Sequence, residues 1–534
     1  MYLMKVSLST LFLFLLSALI LPAQVSWVST GLRFTEDATD IPDLGKTLSI
    51  SGWRGETVMA QIAVAGVPDG SDESFFKFVP KGAHPEEGMP ATEGEHFRIA
   101  LRGNLPADNF EIGTLGYVIA DGLNPDGSGC GHRPDHSLFD SLTVADWIRI
   151  NDKPVYAFRP DGKTGFLWVE YAIPGDMAPG RYRADLDFLR NGRRFATLRL
   201  NLRVEERTLP PAAQWKFHLD LWQNPYAVAR TEGVPLWSDA HFEALRPLMC
   251  RLARAGQKVV TATLCDRPWD GQTEDEFKSM VRWTRRIDGS WEFGFEVFDR
   301  WVEFMESCGI SRQINCYSMI PWAMKFKYFD LASNDVRFIE GSPGDPAYDE
   351  VWTALLKAFA AHLREKGWMD KVCIAMDERP METVRRAMDL VQRADPAFKF
   401  STQGYFHPEI EPMIHDYCVT YGGEFPADVL ARRKAEGKIS TYYTCCTEGR
   451  PNTFTFSAPS EAADLPVEMI ARGADGYLRW AYNSWTAAPF TDSRFRTWAS
   501  GDCYLVYPGD VSSVRFEKLF EGIQQAVKLT VTED

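Results

Sequence analysis

Two adjacent acidic residues, Asp377 and Glu378, are the strongest candidates for chemistry in this sequence. They follow an apolar run that we interpret as a strand, residues 371–376. Neighbours within a strand face opposite ways, but Arg379 and Pro380 indicate that the strand has ended, so both carboxyls can serve one site. Two carboxyls held close together cannot both ionise easily, so the pKa of one should rise and suit a proton donor. The pair indicates glycoside hydrolysis; the alternative is a solvated loop with an acid that caps the next helix.

A second carboxylate for covalent catalysis is harder to find. A standard retaining glycosidase needs a nucleophile about 5 Å from the acid. In many barrels it follows strand seven, but here that strand ends in residues 442–446, Tyr-Tyr-Thr-Cys-Cys, and the spare acids are Glu448 and Glu424. This favours a substrate that supplies its own nucleophile, the carbonyl oxygen of a 2-acetamido group. One carboxylate would then polarise the acetamide, and its neighbour would act as acid and base.

Strands alternate with helices after residue 211, which predicts a (β/α)8, TIM-like barrel over residues 212–534. An open doubly wound sheet is the alternative, but no glycine-rich nucleotide motif follows the first strand. The eight predicted strands are 215–221, 258–264, 311–320, 371–376, 399–402, 417–421, 439–444 and 476–481. The five predicted helices are 241–255, 298–307, 348–366, 381–393 and 426–436.

The preceding part of the chain has a different pattern. Apolar and polar residues alternate in short runs broken by Gly, Pro, Asp and Asn, which predicts an antiparallel β-sandwich over residues 24–208. Paired prolines, Pro210 and Pro211, mark the boundary. Residues 1–23 are predicted to be a secretory signal peptide, because Lys5 precedes an apolar run too short for the ~20 residues of a membrane span. A membrane anchor is the alternative. The mature chain is expected to have no transmembrane segment.

Composition excludes several classes of function. The chain has 534 residues, with 58 Lys and Arg against 73 Asp and Glu, a formal charge of −15. This acidic balance argues against nucleic-acid binding and against docking on anionic lipid. The ten cysteines show no metal-binding spacing, and we interpret them as mostly buried free thiols. No cofactor or metal is expected, and the oligomeric state stays open.

Catalytic groups of such barrels collect at the carboxyl ends of the strands. The residues there that could bind a sugar through stacking or hydroxyl contacts are His218, Asp220, Trp222, Asn224, Trp322, Tyr443, Trp480, Tyr482 and Asn483. Core packing is the competing interpretation for each ring. His218 and Asp220 could also be metal ligands, but the sequence favours a structural hydrogen bond, because no further histidine is well placed at later strand ends.

Several of these strand ends together resemble glycoside hydrolase family 123. The resemblance rests on the first-strand run 218–230, on Met-Asp-Glu-Arg-Pro at 376–380 and on Gly-Tyr-Leu-Arg-Trp-Ala-Tyr-Asn at 476–483. It implies an exo-acting bacterial β-N-acetylgalactosaminidase with substrate assistance, in which Asp377 polarises the acetamide and Glu378 is the general acid/base. The substrate would be a glycan or glycosphingolipid ending in GalNAc, and the enzyme would be exported to the periplasm or beyond.

Two other functions remain open from the sequence. One is a retaining glycosidase with a conventional nucleophile such as Glu424. The other is a glycan-binding protein without activity, although an intact Asp377–Glu378 pair argues against it.

Overall fold

The computed structural model describes residues 24–38, 40–65, 74–78, 96–131, 133, 135–150, 156–158, 164–190 and 193–531. The predicted signal peptide lies outside these ranges. Among the helices within them, none has both the length and the apolar character needed to cross a membrane.

The N-terminal part forms two facing sheets. Their strands are β1 (Gln24–Val28), β2 (Thr47–Arg54), β3 (Thr57–Ala65), β4 (Ser74–Phe78), β5 (His96–Gly103), β6 (Phe110–Ala120), β7 (Leu142–Ile150), β8 (Tyr156–Phe158), β9 (Gly165–Ala172), β10 (Gly180–Arg190) and β11 (Arg193–Thr208). One sheet has the order β1-β3-β9-β6-β7 and the other β2-β11-β10-β5-β4-β8. Inward residues of both sheets, such as Trp27, Leu167 and Leu186, share one apolar core. This is the predicted sandwich, with parallel pairing only at β2–β11 and β4–β5 among the described strands.

The elements after residue 211 alternate as predicted. They are β12 (His218–Leu221), α1 (Pro225–Glu232), α2 (Asp239–Arg254), β13 (Val259–Thr263), β14 (Arg282–Arg285), β15 (Trp291–Gly294), α3 (Glu296–Ser307), β16 (Gln313–Tyr317), β17 (Lys325–Asp330), β18 (Asp335–Glu340), α4 (Pro346–Lys366), β19 (Val372–Met376), α5 (Met381–Ala394), β20 (Lys399–Gly404), β21 (Asp416–Thr420), α6 (Ala427–Ala435), β22 (Ile439–Tyr443), α7 (Pro459–Ala471), β23 (Gly476–Arg479), β24 (Ser512–Ser513) and α8 (Val514–Val531).

Eight parallel strands form a nearly closed barrel in the order β12-β23-β22-β21-β20-β19-β16-β13. The two end strands approach through a bridge between Leu219 and Gln257, where the Lys258 amide donates to the Leu219 carbonyl over 3.0 Å. All eight predicted strands and all five predicted helices are present, which confirms the TIM-like fold. The β20–β21 connection differs from the ideal pattern, because a short 3₁₀ turn, Glu411–Met413, stands where a helix is usual.

Two hairpins project from the barrel and join into one small sheet. The β14–β15 hairpin follows β13, the β17–β18 hairpin follows β16, and β14 pairs in parallel with β17. Residues 287–290, Ile-Asp-Gly-Ser, lie in the turn of the first hairpin and are of the types that favour such a turn. The pairing of β14 with β17 joins two separate segments, so no local pattern in the sequence indicates it.

The C-terminal elements bind the two parts of the chain together. Strand β24 pairs antiparallel with β7, at the edge of the first sandwich sheet. Immediately after it, the buried guanidinium of Arg515 donates to the buried carboxylate of Asp146 over 3.0–3.1 Å. Arg33 and Tyr507 also donate to Asp146, so its charge is fully paired. Sandwich and barrel therefore share a buried ionic contact as well as a strand pair.

The cysteines are mostly free thiols, as expected, and five of the eight free ones are buried. Cys130 and Cys446 are the exception and form a disulfide, although 316 positions separate them. The pairing could not be read from spacing, because only the docking of the loop after β6 onto the barrel brings Cys130 to the end of β22.

Candidate active site

Asp377 and Glu378 lie directly after β19, at the carboxyl end of the barrel. The side chain of Asp377 is held from two directions: Trp269 Nε1 donates to Oδ2 over 2.9 Å, and the Glu378 amide donates to Oδ1 over 2.8 Å. Trp269 comes from the loop after β13. The strand has ended, as expected, and the Asp377 carboxylate is fixed with both oxygens occupied by donors that favour its charged form.

Burial raises the pKa of Asp377 to about 6, and the neighbouring Glu378 carboxylate adds to the rise. The two hydrogen bonds and Arg379 oppose it without cancelling it. The raised pKa expected for one acid of the pair therefore belongs to Asp377, which the resemblance implies as the acetamide-polarising residue rather than as the proton donor.

Glu378 is more exposed than its neighbour and receives a short hydrogen bond from the hydroxyl of Tyr443, at the end of β22. Burial and the adjacent Glu378 carboxylate raise the pKa of Tyr443 above its usual range. The phenol therefore stays protonated and acts as a donor across the working pH range. Glu378 and Tyr443, 65 positions apart, are joined only by the barrel.

The pair opens into a cavity of about 710 Å³ with a largely aromatic wall. Its lining residues are Trp222, Gln272, Trp322, Asp377, Glu378, Gln403, Tyr443, Cys445, Cys446, Leu478, Trp480, Trp498 and Asp502. A second cavity of about 620 Å³ also reaches Asp377, Glu378 and Gln403, and continues past Arg379, Tyr405 and His407. Aromatic walls suit the C–H faces of sugar rings. Asp377, Glu378 and Gln403 therefore line both cavities.

Four of the nine predicted binding residues line the first cavity: Trp222, Trp322, Tyr443 and Trp480. Trp222 stacks on Trp269, with 4.9 Å between ring centroids. Trp322 is 39% exposed and lies under the Arg379 guanidinium. Trp480 Nε1 donates to Asp502 Oδ2 over 3.3 Å, so the ring is held in place within the wall.

His218 and Asp220, also predicted to bind, lie inside the barrel instead. His218 begins β12, at the opposite end from the cavity, with Nε2 3.9 Å from Asp416 Oδ2. Burial lowers its pKa to about 4, so the imidazole is neutral. Burial also raises the pKa of Asp220 well above its usual range. Neither residue lines either cavity, because both lie before the carboxyl end of β12 and are buried inside the barrel.

The remaining three predicted binders have structural contacts. Asn224 caps α1, accepting from the amides of Tyr226 and Ala227. Asn483 exchanges two hydrogen bonds of 2.9 Å with the backbone of Asn224. The Tyr482 hydroxyl donates to the Leu248 carbonyl, on the α2 side of the barrel. Together these residues fix the carboxyl ends of β12 and β23, which carry Trp222 and Trp480.

Several lining residues were not identified from the sequence. Trp269 and Gln272 follow β13, and the Pro-Trp of residues 268–269 is the same kind of signal as the Pro-Trp of residues 321–322. Trp498 and Asp502 lie in the long irregular segment after β23, which has no strand or helix period to place them. Asp502 is buried, and Arg479 Nη2 donates to its Oδ1 over 2.6 Å.

The two spare acids lie elsewhere. Glu424 is exposed and lines neither cavity. Glu448 is outside them too, with Oε1 accepting from Thr420 Oγ1 over 3.1 Å and Oε2 from the Cys445 amide over 2.9 Å. Within the described ranges, no three His, Cys, Asp or Glu side chains are grouped so that they could hold a metal ion.

Comparison with known proteins agrees with this geometry. The catalytic-domain model of glycoside hydrolase family 123 matches residues 222–532, and the family's N-terminal domain model matches residues 93–189. Comparison with curated proteins finds no match.

Solved structures show the same fold. A family 123 glycoside hydrolase from Clostridium perfringens, described for glycolipid glycan hydrolysis, superposes with a TM-score of 0.82 at 23% identity, over 95% of this chain and 88% of that one. A Bacteroides ovatus family 5 xyloglucanase aligns over 90% of this chain and 98% of that one, at 11% identity. Its TM-score of 0.31 is too low to indicate a shared fold. The family 123 match covers more than half of the sequence and includes Asp377, Glu378 and the whole cavity wall. The chain is a glycoside hydrolase and belongs to glycoside hydrolase family 123.

Proposed function

We propose that this chain is an exo-acting β-N-acetylgalactosaminidase that removes terminal β-linked GalNAc with retention of configuration, using the substrate's acetamide as nucleophile. The observation that carries the proposal is the adjacent pair Asp377 and Glu378, set side by side in an aromatic cavity with no further glutamate in its wall. Two adjacent carboxylates suit a reaction in which the protein orients the substrate and protonates the leaving group but forms no covalent bond to the sugar.

Asp377 holds the acetamide. Its carboxylate, fixed by Trp269, accepts the acetamide N–H and makes the carbonyl oxygen more nucleophilic. That oxygen attacks the anomeric carbon while the glycosidic bond breaks, which gives an oxazoline. The Tyr443 hydroxyl, free to turn from Glu378 when substrate enters, donates to the acetamide oxygen and orients it.

Glu378 moves the protons. It protonates the glycosidic oxygen as the leaving group departs, then takes a proton from the water that attacks the anomeric carbon from the same side. Two inversions give net retention. Glu378 lines both cavities and is the more exposed of the two acids, which supports this role, since an acid must reach the oxygen that joins the bound sugar to the leaving group.

The alternative with a protein nucleophile has less support. Glu424 and Glu448 lie outside both cavities. The remaining carboxylate of the wall, Asp502, is engaged by Arg479 and Trp480. A binding protein without turnover is also less well supported, because Asp377 and Glu378 keep the contacts that their reaction needs.

The substrate class and location are part of the proposal. The Clostridium perfringens relative acts on glycolipid glycans, and we infer a GalNAc-terminated glycan or glycosphingolipid here. We also propose that the protein is exported to the periplasm or outside a bacterial cell, on the basis of residues 1–23.

The test is the release of 4-nitrophenol from β-N-acetylgalactosaminide, β-N-acetylglucosaminide and β-galactoside. Cleavage of the first alone is expected, with tight inhibition by the GalNAc thiazoline, which mimics the oxazoline. Asp377→Asn should lower kcat strongly and leave sugar binding. Cleavage of the plain galactoside would refute acetamide participation, and thiazoline binding without turnover would support the glycan-binding alternative.

A further inference from the structure

A loop of the N-terminal part, residues 121–131, reaches across to the mouth of the barrel. The Gly129 amide donates to the Cys446 carbonyl over 2.6 Å, and the Ala499 amide donates to the Gly129 carbonyl over 2.9 Å. Cys130 forms an isolated antiparallel bridge with Trp498 and a disulfide with Cys446. The loop is therefore inserted between two barrel segments and covalently fixed to one of them.

Both segments that the loop contacts belong to the cavity wall. Cys446 and Trp498 line the cavity directly. The Trp498 ring meets Trp480 edge to face at 6.0 Å, and its Nε1 donates to the Gln272 carbonyl over 3.1 Å. Trp480 and Gln272 are lining residues as well. The loop thus supports one side of the pocket from behind, and its own residues do not line the cavity.

The loop is closely packed against the barrel segment that contains Ala499. A Cβ on Gly129 would lie 2.9 Å from Ala499 Cβ and 2.9 Å from Phe454 Cζ. Next to it, Asp121 and Ser500 exchange two hydrogen bonds of 2.9 Å, from the Asp121 amide to Ser500 Oγ and from the Ser500 amide to Asp121 Oδ1. A displacement of the loop would therefore displace residues 498–500 as well.

We propose that this loop, locked by the Cys130–Cys446 disulfide, is a positioning element for the substrate-binding wall formed by Trp480 and Trp498. The N-terminal sandwich is in this way part of the glycosidase site, although it contributes no group to the chemistry. Asp377 and Glu378 lie directly after β19 and Trp269 lies in the loop after β13, and none of the hydrogen bonds, bridges and cross-links described above for residues 121–131 joins that loop directly to them. Loosening the loop should consequently weaken sugar binding and spare the chemical step.

The kinetic test rests on the proposed β-N-acetylgalactosaminidase activity. For the Cys130→Ala/Cys446→Ala variant, and equally for Cys130→Ala alone, which leaves the lining residue Cys446 in place, KM for the 4-nitrophenyl β-GalNAc substrate should rise on the order of tenfold, while kcat stays within about threefold. Dithiothreitol should produce the same change in the wild type, by reducing the disulfide to two thiols as its own dithiol is oxidised, and reoxidation should reverse it. Cys250→Ala, which removes an exposed thiol of α2, is the matched control and should leave both constants unchanged.

A second measurement needs no activity. Hydrogen exchange by mass spectrometry should show faster exchange at residues 498–500 in the double variant, because the Ala499 amide loses its fixed acceptor. Unchanged exchange would overturn the proposal, and so would faster exchange with an unchanged KM. A fall in kcat as large as the rise in KM, or a fall in kcat alone, would instead indicate that the loop contributes to general stability and does not position the wall. If the wild type does not cleave the substrate, the proposed function fails, and the exchange data decide alone whether the disulfide positions the wall.

Discussion

Trp269 Nε1 donates a hydrogen bond to Asp377 Oδ2 over 2.9 Å, and this contact joins the loop after β13 to the end of β19 across the mouth of the barrel. Trp269 also stacks on Trp222, so the indole is fixed by its ring face as well as by its nitrogen. This arrangement fixes the orientation of the Asp377 carboxylate, which in the proposed mechanism must accept the acetamide N–H at one angle.

Replacing Trp269 with Phe removes the donor and keeps most of the ring. The hydrogen bond lowers the pKa of Asp377, so its loss should raise that pKa by about one unit. We expect the acid limb of the kcat/KM profile to move to higher pH by that amount. Trp291→Phe, on β15 outside both cavities, is the control. If the acid limb of the Trp269→Phe profile does not move, Asp377 is not the group that sets the pH dependence.

The wild-type profile should itself report Asp377. Its raised pKa of about 6 means that the carboxyl is neutral below that pH and no longer carries the negative charge that polarises the acetamide. Activity is therefore expected above about pH 6 and should be lost as the pH falls through 6. A kcat/KM profile on the aryl substrate measures the midpoint. A midpoint near the ordinary value of about 4 would contradict the burial of this group.

Glu378→Gln should separate the two carboxylate roles. A general acid contributes about 10²–10⁴-fold, and this help matters most for poor leaving groups. The variant should therefore lose far more activity on a GalNAc-ended disaccharide than on the 4-nitrophenyl glycoside. Asp377→Asn, which acts on the nucleophile, should lose activity on both alike. The reverse pattern would exchange the roles of the two residues.

Asp146→Ala tests the contact between sandwich and barrel. It leaves Arg515 buried without its carboxylate, which should cost about 3–5 kcal/mol of unfolding free energy. Burial opposes the charged form of Asp146, but Arg515 and Arg33 keep its pKa below the usual value, so this stabilisation is lost as the solution becomes strongly acidic. Urea unfolding measures the change. Asp510→Ala, which removes a half-exposed partner of Arg251, should cost about 1 kcal/mol or less. Equal losses would show that the buried cluster does not stabilise the fold more than a surface pair.

The sequence predicted the barrel strands well because their signals are local. Most of the eight strands are short runs rich in apolar, aromatic or β-branched residues, and several intervening helices have a clear amphipathic period. Asp377 and Glu378 were identified from the sequence for the same reason, because they come directly after a strand and shortly before a proline. Trp222, Trp322, Tyr443 and Trp480 were found for the same reason, since all four follow strands.

Features that depend on distant parts of the chain were missed. The Cys130–Cys446 disulfide, the pairing of β17 with β14 and the position of Asp502 all depend on how irregular segments dock. Tyr482 and Asn483 show the opposite error. They follow β23 as Trp480 does, but the chain turns there and directs their side chains into structural contacts with Leu248 and Asn224.

The pairing of β24 with β7 has a consequence for the order of synthesis. The edge of the first sandwich sheet stays open until residues 512–513 have left the ribosome, and Asp146 lacks Arg515 until then. A nascent or truncated chain that ends before this point would expose an unpaired strand edge and a buried acid with only part of its counter-charge. The last strand to be made therefore completes the first sheet of the protein.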